Sequence, residues 1–387
     1  MNLMRNLDRF FWGAATSAYQ VEGGIKNDWS EAHSTSSGQA RFDAGRTADH
    51  YNLFKADFNL AKSLGHNAHR FSIEWSRIEP EEGKFNQKEI EHYQEVISAL
   101  REKGLEPFVT LWHFTNPVWF SKLGGFGSKK SAFYFERYAD FVTRNLKGVK
   151  FWLTINEPMV YAANAYFRGI WPPQKKSFFA YFRVIRNLAA AHRKAYAIIH
   201  KNIPNARVGI AKNIIYFEAA GWNPGNKILK NLADWWWNRQ FLNRIQNHQD
   251  FIGLNYYFHK HIDGLKFSPE KTHPVSNLGW GIFPNGLYFV LQELKKYQKP
   301  IYITENGLAD SKDEKRAQFI KDHIFWMEKA IAEGADVRGY FHWSLIDNFE
   351  WDKGFDPCFG LIEVDYKTME RKVRQSAYAY RDIIKGE

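Results

Sequence analysis

Cysteine is nearly absent. Cys358 is the only one, so an intramolecular disulfide and an all-cysteine metal site are both excluded. Long apolar runs are missing too. None approaches the ~18 residues a membrane-spanning helix needs, and the mean hydropathy of −0.51 agrees. At the N-terminus, M-N-L-M-R-N-L-D-R-F-F-W-G, Asp8 and Arg9 interrupt what would be the apolar core of a secretory signal. No N-x-S/T acceptor occurs. A cytoplasmic protein is the expectation. The phosphate-cradling patterns G-x-G-x-x-G and G-x-x-x-x-G-K-[ST] are absent. So are the nucleophile elbow G-x-S-x-G and the zinc pattern H-E-x-x-H. His33, His50, His66, His69 and His113 show no paired-ligand spacing, and no metal or other cofactor is expected.

What is present looks globular. Hydrophobic residues are 44% of the chain and charged residues 25%, which excludes a disordered or collagenous chain. The net charge of +11 raises the question of a nucleic-acid partner. Lys and Arg are scattered, however, with K-K pairs but no basic block, so a solvated basic surface without nucleic-acid or membrane binding is expected. Aromatics reach 17%, including 15 Trp. Their flat faces suit sugar C–H surfaces, and they also fill cores.

No repeat, low-complexity tract or linker divides the 387 residues, and one domain over 1–387 is expected. Short β-rich apolar runs recur at 10–16, 67–73, 107–114, 150–157, 207–213, 250–257, 300–307 and 337–345. Near-continuous apolarity suits parallel strands covered on both faces. The intervening segments carry helical stripes. Ile90, Tyr93, Val96, Ile97 and Leu100 fall on one face of 88–103, with Gly104 as the stop. Phe135, Tyr138, Phe141 and Val142 mark 131–146. Ile320, Ile324, Met327 and Ile331 mark 314–333, before Gly334. Eight strands alternating with helices predict an α/β fold, a single (β/α)₈ TIM barrel. A doubly wound open sheet is the alternative.

In such a barrel the chemistry sits at the C-terminal strand ends. The polar residues there are Gln20 and Glu22 after strand 1, Arg70 in strand 2, His113 on strand 3, Asn156 and Glu157 on strand 4, Asn255 and Tyr257 on strand 6, Glu305 and Asn306 on strand 7, and Trp343 on strand 8. Glu157 and Glu305 each follow an apolar run beside an asparagine. Two facing carboxylates are the minimal apparatus of glycoside hydrolysis. Each could instead end its strand in an ordinary salt bridge.

These motifs resemble glycoside hydrolase family 1, the retaining β-glycosidases, along nearly the whole chain and in order. F-W-G-A-A-T-S-A-Y-Q-V-E-G, N-A-H-R-F-S-I-E-W-S-R-I, T-L-W-H-F, T-I-N-E-P, G-L-N-Y-Y, I-T-E-N-G, W-S-L-I-D-N-F-E-W and F-G-L-I-E-V-D carry the likeness. The resemblance implies Glu157 as acid/base and Glu305 as nucleophile. It implies Gln20, His113, Asn156, Glu350 and Trp351 as sugar-binding residues, with Trp343 as a platform beneath the ring. Arg70, Asn255 and Tyr257 would support the nucleophile from behind.

Departures are visible. Phe114 stands where the family usually has Trp, and T-N-P-V-W-F after it differs from the commoner D-L-P. The interval from Glu157 to Glu305 is shorter than in most relatives, which implies a more open aglycone side. Glu350 and Trp351 replace the Ser and neighbouring Lys and Tyr of members acting on phosphorylated sugars. The resemblance thus implies an exo-β-glycosidase, foremost a β-glucosidase with β-galactosidase or β-fucosidase side activity. Its partners would be small β-glycosides or short oligosaccharides. A non-catalytic sugar-binding barrel and a transglycosylase are the alternatives.

Overall fold

The apolar runs become strands. The computed structural model describes residues 10–32, 42–268 and 273–387. In it β1 (Phe11–Ala15), β2 (Ala68–Ser72), β3 (Glu106–Trp112), β4 (Phe151–Asn156), β5 (Arg207–Ala219), β6 (Ile252–Asp263), β7 (Ile301–Asn306) and β8 (Val337–Trp343) pair in parallel. Each pairs with the next, and β8 returns to β1 through Phe11↔Gly339 to Ala15↔Trp343, closing the barrel. The open-sheet alternative is thereby excluded.

Burial explains the run composition. β1 to β4 and β7 are buried at every position, one face on the barrel axis and the other under helices. The N-terminal half of the interior is filled by Phe11, Phe108, Phe151, Tyr302 and Phe341, joined by Phe251 just before β6. Phe108 stacks on Phe151 at 4.3 Å between ring centroids. Each such buried ring contributes about 1.5–3 kcal/mol. This aromatic plug is the floor on which the polar residues of the other half stand.

The predicted helices form at Gln87–Glu102, Ser131–Asn145 and Arg316–Ala332, with their apolar stripes inward. The side chain of Asn86 accepts from the Lys88 amide and starts the first. Gly104, at φ 68°, lets the chain turn away after it.

One expectation is corrected. Strands 5 and 6 do not stop at 213 and 257. Past a register shift at Ile214/Ile215 they run on as a ribbon to Ala219 and Asp263, beyond the rim. A short strand, Lys266–Ser268, folds back antiparallel on β6. Two helices at the rim also widen into π-turns, at Ala163–Phe167 and Trp235–Arg239. Such bulges often accompany functional sites. Among the described residues, no helix is long and apolar enough to cross a membrane.

Candidate active site

A cavity of about 500 Å³ opens at the C-terminal face of the barrel. Glu157, Glu305, His113, Asn156, Tyr257, Trp343, Glu350 and Trp351 line it. Arg70, Asn255 and Gln20 lie just beneath, wholly buried.

Glu305, within β7, is anchored from two sides. Arg70 Nη1 donates to Oε1 at 2.5 Å, and the Tyr257 hydroxyl donates to Oε2 at 2.8 Å. Arg70 is itself fixed, donating to Thr110 Oγ1 at 3.1 Å and to Asn156 Oδ1 at 2.7 Å. The salt bridge that an ordinary strand-ending glutamate would make therefore exists, and it is buried inside the site. Burial raises the pKa of Glu305, while Arg70 and then Tyr257 lower it.

Glu157 has no cation in contact. Asn255 and Asn213 donate to its Oε1 at 2.9 and 3.3 Å. Burial first, and the charge of Glu305 second, push its pKa up to about 8. Arg70 thus favours the ionised form of Glu305, while burial and the charge of Glu305 favour the protonated form of Glu157. The backbone of Glu157 is left-handed, φ 42° and ψ 60°, between β4 and the helix Pro158–Ala162. Phe114 and Trp351, also on the pocket wall, have positive φ as well, 74° and 53°. Such positions cost about 1–3 kcal/mol each, and they cluster where function over-determines the chain.

The rest of the wall is built for a flat polar ring. Asn156 Oδ1 accepts from Arg70 and Asn255, so its amide nitrogen faces His113 Nε2 at 3.1 Å and donates to it. His113 then carries its proton on Nδ1, which is buried and has no partner in the protein. Burial and Arg70 hold this ring neutral. It lies nearly parallel to Trp343 and Trp351, each 5.9 Å away. Gln20 accepts from Ser17 and donates to Asn348, Phe349 O and, at 3.2 Å, Glu350. Burial, with Glu305, Asp352 and Glu157 adding, pushes Glu350 up to about 8.

Behind this end the wall is solid. Trp351 packs on Trp29 at 4.7 Å and on Tyr19 at 6.2 Å, all buried. Trp237, Lys260 and Trp280 also line the cavity, as do the exposed Arg168 and Lys353.

Two candidates do not join the site. Glu22 pairs with Arg77 at 2.8 Å and accepts from Tyr93. Asn306 donates to Tyr256 O and accepts from Tyr340, holding strands together. Among the histidines weighed as metal ligands, His50 pairs with Asp57 and His66 is buried without a partner; His33 lies outside the described residues. Among the described residues, no group of three His, Cys, Asp or Glu could hold a metal ion.

Three residues beside Glu157 were missed. Asn213 ends the strand-5 run, so the strand-end rule could have found it. Trp237 donates to Asn213 Oδ1 at 3.1 Å. Lys212 is fully buried, donates to Asn213 O at 2.5 Å, and has its pKa lowered to about 7 by burial.

Comparison with known proteins identifies the family and the barrel. The model of glycosyl hydrolase family 1 matches residues 5–243 and 225–387. Beta-glucosidase A of Thermotoga maritima is 34% identical, the alignment covering 100% of this chain and 99% of the relative. A solved beta-glycosidase from Pyrococcus horikoshii superposes with a TM-score of 0.92 at 40% identity, over 97% of this chain and 94% of that one. A Thermotoga maritima beta-glucosidase in complex with glucoimidazole gives 0.90 at 32% identity, over 98% of both chains. Matched by the family model on both sides of the barrel and by relatives along its whole length, this chain belongs to glycosyl hydrolase family 1 and is a glycosidase built on a (β/α)₈ barrel.

Proposed function

We propose that the protein is a retaining exo-β-glycosidase acting foremost on β-glucosides, with galactosides and fucosides as side substrates, by double displacement. The observation that carries this is the unequal pair of buried carboxyls: Glu305 against a guanidinium, Glu157 without a cation and pushed up to about 8. Ionised Glu305 attacks the anomeric carbon. Glu157 gives its proton to the glycosidic oxygen, and the aglycone leaves as an alcohol. Glu157, now a carboxylate, takes a proton from water, whose oxygen displaces Glu305 and releases the sugar with its configuration kept. Trp343 would support the ring. The unpaired His113 Nδ1–H, Asn156, Gln20 and Glu350 would bind its hydroxyls, and Trp351 would flank C6. Arg70, Asn255 and Tyr257 would act on the carboxyls. Solved relatives in complex with sugar-like inhibitors support small β-glycosides or short oligosaccharides as ligands. We infer a cytoplasmic, cofactor-independent enzyme of one domain, with neither nucleic acid nor membrane as partner.

The test is Glu305→Gly. Turnover of nitrophenyl β-glucoside is expected to vanish while the fold persists, and azide is expected to restore it by entering the vacated space. Near-normal activity without azide would remove Glu305 from the mechanism.

A further inference from the structure

Lys212 lies in the buried run 208–214 of β5, where an apolar side chain is the ordinary choice. Its ammonium donates to Asn213 O at 2.5 Å and sits 5.7 Å from the centre of the Trp237 ring, in the π-turn Trp235–Arg239. Asp234, the acid that acts on it from the overlying helix, is itself paired with Arg239. A buried ammonium is costly unless a carboxylate pairs with it, and burial lowers the pKa of this one to about 7. A methionine of the same length would fill the space without that cost.

Both groups beside the ammonium support Glu157. Asn213 donates from its side chain to Glu157 Oε1 at 3.3 Å, and Trp237 donates to Asn213 Oδ1 at 3.1 Å, which fixes the amide's orientation. The residue before Lys212 holds the Glu157 backbone, Ala211 O accepting from Glu157 N at 2.7 Å. A single residue, Asn213, thus spans the gap from ammonium to carboxyl, at most about 10 Å. Unit charges that far apart in buried protein shift each other by about one pKa unit. Glu305, paired with Arg70, pushes the pKa of Glu157 up, and Lys212 pulls it down. Glu350, Asp352 and Lys260 also line the pocket, while burial keeps His113 and His192 neutral.

We propose that Lys212 is a positioning residue for Glu157: its positive charge, held behind Asn213, stabilises the carboxylate that Glu157 becomes as it gives its proton to the glycosidic oxygen. The proposal rests on the glycosidase reading above and adds a residue to it. Below about pH 7 the lysine is charged and Glu157 is protonated, so the effect operates there. The charge that eases donation also makes the acid easier to lose in alkali, so the two consequences have opposite signs.

The experiment compares wild type with Lys212→Met, which removes charge and donor, and Lys212→Gln, which removes the charge and keeps a donor. The readouts are pH profiles of kcat/KM on methyl β-glucoside, whose leaving group needs the acid, and on dinitrophenyl β-glucoside, whose leaving group does not. At pH 6 both variants are expected to lose about threefold on the methyl glucoside, the share of one pKa unit felt in a half-complete proton transfer, and to stay within about twofold on the activated one. The alkaline limb on the methyl glucoside should move up by about 0.5–1 pH unit in both. Thermal unfolding reports that each variant is folded, and the glutamine variant decides alone if the methionine one is not. A limb that stays in place would overturn the proposal. A limb moved by Met but not by Gln would overturn it too, by assigning the effect to the hydrogen bond. Equal losses on both substrates with no shift would reduce Lys212 to packing and overturn it as well. No turnover of either glucoside by the wild type would instead sink the underlying glycosidase reading.

Discussion

Glu157 is held in a backbone conformation that few non-glycine residues adopt, and what it gains is a carboxyl facing Asn213 and Asn255 with no cation in contact. Its proton is then retained by burial and by Glu305. Glu157→Gln should slow β-glucosides with poor leaving groups by about 10²–10⁴-fold and activated ones far less. Because the pKa of Glu157 is raised to about 8, wild-type kcat/KM should fall as pH rises through that value, when the acid is lost. The variant's profile should lack that alkaline limb. Equal losses on both substrate types would contradict the role. Glu350 makes a second test. Four acidic side chains, Glu157, Glu305, Glu350 and Asp352, line the pocket, and Lys353 is paired with Asp352 at 2.7 Å. A 6-phosphate has no free cation on that loop, and its charge would be desolvated there with only Asp352 and the Arg70-paired Glu305 as charged neighbours on the acidic side. Kinetics on β-glucoside and its 6-phosphate should differ by more than about 100-fold, since unpaired buried polar groups discriminate strongly. Comparable efficiencies would remove Glu350 and Trp351 from sugar selection.

At the scale of elements, the barrel was legible because burial on both faces writes a continuous apolar run. The ends of β5 and β6 were not. Where the ribbon leaves the barrel, Ile215, Tyr216, Glu218 and Ala219 are only half-buried, so hydrogen bonding continues after the apolar signal stops. Glu157 and Glu305 were legible for the converse reason: a carboxylate after such a run is conspicuous. Gln20, Glu350 and Trp351 sit in segments without period, and only resemblance pointed to them. Lys212 and Trp237 carried no signal, since a strand lysine and one tryptophan of three read as surface and core. Contact between elements also yields a prediction. Gly307 follows β7 where the chain crosses the end of β8, and a Cβ there would collide with the Trp343 carbonyl. Gly307→Ala must part the two strand ends that carry Glu305 and Trp343. Thermal unfolding should show a Tm lower by several degrees, and kcat/KM should drop more than about tenfold. Wild-type values for both would show that the crossing can relax.

Over the whole molecule, buried titratable groups set opposite slopes against pH. Burial holds His66 and His192 near about 3, and His92 and His323 near about 4, against 6.5 when free. Below pH 6.5 the unfolded chain takes up protons that these folded histidines refuse, so stability falls as pH falls. Asp28 is raised to about 7, and Glu157 and Glu350 to about 8. The folded chain keeps these protons after the unfolded chain has lost them, so stability falls as pH rises from the free carboxyl range through about 8. Between the free carboxyl range and 6.5 the two sets oppose each other. His69, His113 and His342, also held well below 6.5 by burial, join the first set, and Glu22, Glu74, Glu79 and Glu305, raised by burial, join the second. Unfolding temperatures should fall as pH rises from about 6.5 to about 8, where the three raised carboxyls outnumber Lys212, whose pKa lowered to about 7 acts the other way. Glu350→Gln should raise Tm at pH 9 and leave it unchanged at pH 4.5; a flat profile from pH 4.5 to 9 would contradict the assignment.

The wall of Tyr19, Trp29 and Trp351 has a temporal consequence. A chamber walled at its sugar end enforces an order of departure. The sugar, deepest in, cannot exit until the alcohol in front of it has gone, and the incoming water uses the space just vacated. Any other hydroxyl compound entering that space competes with water for the glycosyl group. The partition between hydrolysis and transfer is thus set by what occupies it, and the two carboxyls have no part in that choice.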